Sequence, residues 1–166
     1  MNEIILAEPP GYVGGRDIYL PITATPAANQ AADFYRLLVT DQQQQRTQLE
    51  RCANLEQAAA WKAADIAQYD YWQHQASTGE WPNATARRFG CNLPPDYGAD
   101  WNGVETLAAG SSDAMVMFNA LAESPSHRAH LFGMNEFFRK QMHLGIAMAT
   151  GGQWGWVWCV LIARCD

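Results

Sequence analysis

Three side chains in this sequence have the chemistry of a site: His74, Glu105 and His127. Two neutral imidazoles and one carboxylate make a three-ligand zinc site whose fourth position is open to water. The same set can activate that water for hydrolysis, with Glu105 as ligand or general base. His127 lies within Ser124-Pro125-Ser126-His127-Arg128, which reads as a helix start. Ser124 suits the N-cap, Pro125 the first helical position and Gly133 the C-terminal end. A histidine in a first turn feels the positive end of the helix dipole, which favours the neutral, ligand-competent ring. The two histidines are far apart in sequence, unlike those of an HExxH motif. Read alone, each is a structural hydrogen-bonding residue.

Other candidates carry weaker signals. His130 lies one turn beyond His127 and can share its face, but packing accounts for it equally well. Glu123 precedes the cap and reads as solvated. Ser111, Ser112, Ser124 and Ser126 lack a nucleophile elbow, which argues against a serine hydrolase. Arg128 in a first turn opposes the dipole and reads as structural. Asn83-Ala84-Thr85 matches a glycosylation acceptor, a pattern frequent by chance. Trp72, Trp81 and Trp101 read either as cleft walls or as core.

The elements that must position these residues follow from periodicity. Residues 1–28 hold Pro9-Pro10, Gly14-Gly15, Pro21 and Pro26, and read as an extended arm with a short strand at Asp17–Ile22. A helix is expected from Asn29 to about Arg51, with Phe34, Leu37, Leu38 and Leu49 inward and Gln42–Gln45 as an exposed face. A second begins at Asn54, where Asn54 and Gln57 have capping-box spacing and Leu55, Ala58, Ala59, Ile66 and Tyr69 recur at helical spacing. Residues 71–110 read as a long, aromatic-rich connection. A third helix at Asp113–Glu123, capped by Ser111 or Ser112, presents Ala114, Met117, Phe118 and Leu121. The C-terminal segment reads as a hairpin turning at Thr150-Gly151-Gly152-Gln153. Its return strand is apolar on both faces: Trp154, Trp156, Trp158, Val160 and Ile162 on one, Val157, Cys159, Leu161 and Ala163 on the other. A sheet covered on both sides, with helices available, predicts an α+β fold: a three-layer α-β-α sandwich around a small antiparallel sheet.

Composition narrows the function classes. A 166-residue chain that is 48% hydrophobic and 17% charged can bury a core as one domain, here residues 29–166. Its net charge of −6 and the absence of any Lys/Arg run argue against nucleic acid as a partner. The N-terminal residues do not read as a signal peptide, and the apolar run from Trp154 to Ala163 is too short for a transmembrane segment. Cys52, Cys91, Cys159 and Cys165 contain no CxxC pair, so disulfides are expected over a zinc ribbon, with three pairings open.

The order of these motifs resembles the CAP superfamily, the cysteine-rich secretory and pathogenesis-related group that shares the SCP domain, its bacterial members above all. The likeness spans roughly residues 29–163. It rests on Ala58–Tyr71, on Trp72-Gln73-His74 with Gly79, Pro82 and Arg87, on Glu105-Thr106-Leu107-Ala108-Ala109-Gly110, on Ser124–Arg128, and on Leu144-Gly145-Ile146 with the aromatic terminal strand. The resemblance implies a central cleft in which His74 and His127 are the two histidines and Glu105 the first acidic residue, with Trp72 and Trp101 beside them. Leu121 and Ser124 stand where eukaryotic members have a tryptophan and a second glutamate, and Thr106 replaces an asparagine. The implied cofactor is a weakly held divalent cation, zinc first, with calcium or magnesium as alternatives. The implied role is an extracellular or cell-surface binding module for a lipid, sterol, cell-wall or other small ligand. A metal-dependent hydrolase using the same cleft, with Glu105 as base, and a structural domain with a vestigial site are the alternatives.

Overall fold

The terminal apolar strand organises the molecule, because a strand buried on both faces needs a layer of helices on each. The computed structural model describes residues 29–166, together with the backbone of Ile5–Leu6. In chain order the elements are β1 (Ile5–Leu6), α1 (Gln30–Thr40), β2 (Glu50–Arg51), α2 (Ala53–Tyr69), α3 (Pro82–Arg88), β3 (Glu105–Ala109), α4 (Ala114–Glu123), α5 (Pro125–Phe132), α6 (Glu136–Arg139), β4 (His143–Thr150) and β5 (Trp156–Ala163). The sheet order is β1-β3-β5-β4-β2. All pairings are antiparallel except β2 with β4, so the expected antiparallel sheet has one parallel edge. The expected arm over 1–28 and its strand at Asp17–Ile22 otherwise lie outside the described residues.

The alternation read from β5 holds. Trp158, Val160 and Ile162 enter a core with Phe34, Leu38, Met117, Leu121 and Leu131 of α1, α4 and α5. Val157, Cys159, Leu161 and Ala163 enter a second core with Leu55, Ala58, Ala59, Ala63 and Ile66 of α2. This is the α-β-α sandwich. The small alanine face brings α2 close to the sheet, and Gly145 makes the closest approach possible. A Cβ at Gly145 would lie 2.2 Å from the Leu55 carbonyl carbon and 2.4 Å from the Glu56 nitrogen.

Several local expectations are corrected. Helix α1 stops at Thr40 rather than continuing to Arg51, because Asp41 turns extended and its side chain accepts the Gln43 N–H in a local turn. The Gln42–Gln45 stretch is therefore a loop. It reaches back to the end of α5: Gln44 donates to the Leu38 and Leu131 carbonyls. Beside it, buried Arg46 donates to the carbonyls of His130, Leu131 and Phe138. These bonds satisfy carbonyls that a helix end leaves without partners. Burial pulls the Arg46 pKa down to about 10.

Helix α2 starts at Ala53, and the Asn54 amide caps nothing; it donates to the Gly90 carbonyl. Tyr69 is 58% exposed, outside the apolar stripe. Helix α4 is capped by Asp113, which accepts the Val116 N–H, while Ser111 accepts the Asp113 N–H. The connection over 71–110 contains helix α3 and the interior strand β3. Trp154 falls in the hairpin turn and packs against Trp72, with ring centroids 5.2 Å apart. Of the four cysteines, Cys91 and Cys165 form a disulfide; Cys52 and Cys159 are free thiols.

Candidate functional site

Glu105 and Thr106 open β3, and consecutive strand residues point to opposite faces. Glu105 shares the α2 side with Leu107 and Ala109, and Thr106 faces α5 with Ala108. Each meets a histidine. Glu105, 1% exposed, places Oε1 2.8 Å from His74 Nδ1. With the carboxylate as acceptor, His74 Nδ1 carries the proton. The Cys159 thiol lies 3.7 Å from Glu105 Oε2 and donates to it. Thr106 Oγ1 is 2.8 Å from His130 Nδ1, with His130 Nε2 3.5 Å from the Ile162 carbonyl.

His127 stands third in α5, and the local fold is the expected one: Ser124 at the N-cap, Pro125 first, Gly133 closing the helix at φ 65°. The Ser124 side chain does something the cap signal does not announce. It makes no capping bond to the backbone; its Oγ lies 2.8 Å from His127 Nδ1. The hydroxyl at the position of the resemblance's missing glutamate thus orients the second imidazole. Both candidate histidines thus have a side-chain partner at Nδ1.

Electrostatics separate the neighbours. Burial, reinforced by the Arg46 charge, pulls the His130 pKa well below the usual histidine value; His127 and His74 contribute in the same direction. His130 is therefore a neutral packing residue, its ring tilted against Phe138 with centroids 4.9 Å apart. Burial, then Glu105, pushes the Cys159 thiol well above its ordinary range, so it is no nucleophile at neutral pH. Asn83 is fully buried, donating to the Gly98 carbonyl and accepting the Gly103 N–H, so Asn83-Ala84-Thr85 is a structural part of the first turn of α3. Trp101 is 36% exposed and packs on Phe137, while Trp72 precedes His74 by two residues and packs on Trp154.

The residues that sequence reasoning missed lie on α2. Lys62, 1% exposed, donates to the Tyr71 hydroxyl at 3.0 Å and to the carbonyls of Gln73 at 3.0 Å and His74 at 2.8 Å. Asp65 accepts from the Tyr71 hydroxyl at 2.5 Å and from Ser77 Oγ at 2.5 Å and Ser77 N at 3.0 Å. Burial works against the Asp65 carboxylate, but the bonds from Ser77 and Tyr71 outweigh it and lower its pKa. The signal was present: Lys62 sits at helical spacing within the buried stripe of Ala58, Ala59, Ala63 and Ile66.

No protein-family model matches this chain, and no curated protein sequence does. Two solved structures share its fold. One is an outer surface protein from Borrelia burgdorferi, with TM-score 0.64 and 18% identity, covering 87% of this chain and 98% of that one. The other is an extracellular protein containing an SCP domain from Bacillus anthracis, with TM-score 0.62 and 15% identity, covering 89% of this chain and 46% of that one. At these identities the likeness concerns architecture, and on it this chain has an SCP-domain-like fold.

Proposed function

We propose that this chain is an extracellular SCP-like binding module whose cleft around His74, Glu105 and His127 takes a divalent cation, zinc first, or a small polar ligand of lipid, sterol or cell-wall origin. The observation that carries this reading is the pair of imidazoles held through Nδ1, one by Glu105 and one by Ser124. A side-chain partner at Nδ1 is how ligating histidines are commonly oriented, and this supports the reading. Among the described residues no group of three or more His, Cys, Asp and Glu is arranged to hold a metal. A cation taken there would be held by His74 and His127 alone, with solvent completing its shell and modest affinity. Both oxygens of Glu105 are engaged, by His74 and by Cys159, which favours binding over general-base hydrolysis. The Cys91–Cys165 disulfide and the extracellular or surface descriptions of both structural neighbours support the location.

Zinc titration by calorimetry tests the reading. We expect one-to-one uptake, abolished by His74→Ala and by His127→Ala in chains that keep their far-ultraviolet dichroism. Uptake that survives both substitutions, or no uptake by the wild-type chain, refutes the cation site. Turnover of peptide, ester or phosphodiester substrates by the zinc-loaded chain would replace binding with hydrolysis.

A further inference from the structure

We propose that Lys62 is the positioning residue of the cleft: its ammonium group ties the backbone of His74 to α2 and so presents the imidazole to Glu105. The proposal rests on the reading of His74 and Glu105 as the cleft's working pair. A lysine inside an alanine-lined helix face is costly to bury unless its donors are all used. Here all three are used, and two go to the consecutive carbonyls of Gln73 and His74. The third goes to Tyr71 Oη, which passes its own proton toward Asp65. The ammonium also sits 4.8 Å from the Tyr71 ring centroid, a cation–π contact.

Asp65, one turn further along α2, holds Ser77 through both its N–H and its hydroxyl. The segment that delivers His74 is therefore pinned on either side of the histidine by two residues of one helix. Helix α2 also packs on β5, and Cys159 of β5 donates to Glu105. A single rigid body thus carries both the anchor of His74 and a partner of its carboxylate. Every Lys62 hydrogen bond ends on the segment 71–74, while its charge also interacts favourably with Glu105 and Cys159. A lysine that served only to fill space would be replaced by methionine with little effect on the histidine ring.

The test is nitrogen-15 NMR of the wild-type chain and Lys62→Met, with His74→Gln used to assign the His74 ring signals. In the wild-type chain the ring gives the Nδ1-protonated tautomer, with an N–H signal sheltered from exchange. In the variant that signal is lost to exchange or the two ring nitrogens become averaged, while amides of β4 and β5 stay protected. A folded variant with unchanged His74 ring signals overturns the proposal, since a merely structural lysine would lower the melting temperature and leave the tautomer alone. If the variant does not fold, the wild-type Lys62 ammonium decides. A slowly exchanging signal with contacts to the Tyr71 ring supports the anchor, and a freely exchanging one overturns it. Where the wild-type chain binds zinc, Lys62→Met should weaken uptake roughly 10- to 100-fold, as loss of an outer-shell partner does; unchanged affinity overturns the proposal. A wild-type chain that binds no zinc refutes the cation reading alone, and the ring signals still decide the role of Lys62.

Discussion

All four imidazoles in this protein are engaged through Nδ1, and their partners differ: Glu105 for His74, Ser124 for His127, Thr106 for His130 and the Cys165 N–H for His143. The partner and the depth of burial decide what each ring can do. His130 is fully buried beside the Arg46 guanidinium and stays neutral in the fold. Its folded pKa is lowered, so below the unfolded value near 6.5 the unfolded chain binds the extra proton and stability falls as pH falls. Above that value its contribution is flat. Urea unfolding between pH 7.5 and 5 should show up to about 1.4 kcal/mol lost per pH unit from this residue. His130→Gln should remove that share of the slope; a variant with the wild-type slope would show that His130 is protonated in the fold. The candidate pair of histidines was legible from residue type and helix-start chemistry. Their partners were not, because a hydroxyl at an N-cap is expected to serve the backbone and Ser124 turns to the ring instead.

At the scale of elements, α2 and β4 approach closely at Gly145. The small alanines of α2 and the missing side chain of Gly145 let helix backbone lie against strand backbone. Gly145→Ala would set a methyl group 2.2 Å from rigid backbone that no rotamer change can relieve. Overpacking of this kind costs about 1–3 kcal/mol or more, and we expect thermal unfolding to show a clear drop in melting temperature. An unchanged midpoint would mean that α2 can slide on the sheet. The alternating faces of β5 and the apolar stripes of α2 and α4 were legible because periods of 2 and 3.6 report which side is buried. The end of α1 and the existence of β3 were not. Asp41 ends the helix by a local turn that competes with a still-apolar pattern. Glu105–Ala109 is too short and too mixed to announce a strand until β5 pairs with it.

At the scale of the whole molecule, Cys91–Cys165 ties the chain's last turns to the loop after α3, closing a loop across 74 residues. Breaking a bridge of that span removes about 2–5 kcal/mol by chain entropy. Cys91→Ser with Cys165→Ser, or full reduction, should therefore lower the urea midpoint without changing the zinc stoichiometry of the cleft. A midpoint unmoved by reduction would place the stabilisation elsewhere. Cysteine count favoured disulfides but could not pair them, and it did not separate the bridged pair from Cys52 and from Cys159, which is buried against Glu105. What the sequence by itself determined is the layered α+β architecture, the helix start at Ser124-Pro125 around His127 and the residue types of the candidate site. These are properties of periodicity and local backbone chemistry. Only the tertiary structure decided that Glu105 faces His74 while Thr106 faces His130, that Ser124 orients His127, and that a lysine inside α2 holds the His74 segment. Those contacts join residues from 3 to 31 positions apart, and the more distant side chains meet only when the sheet has brought its two faces and two helical layers together.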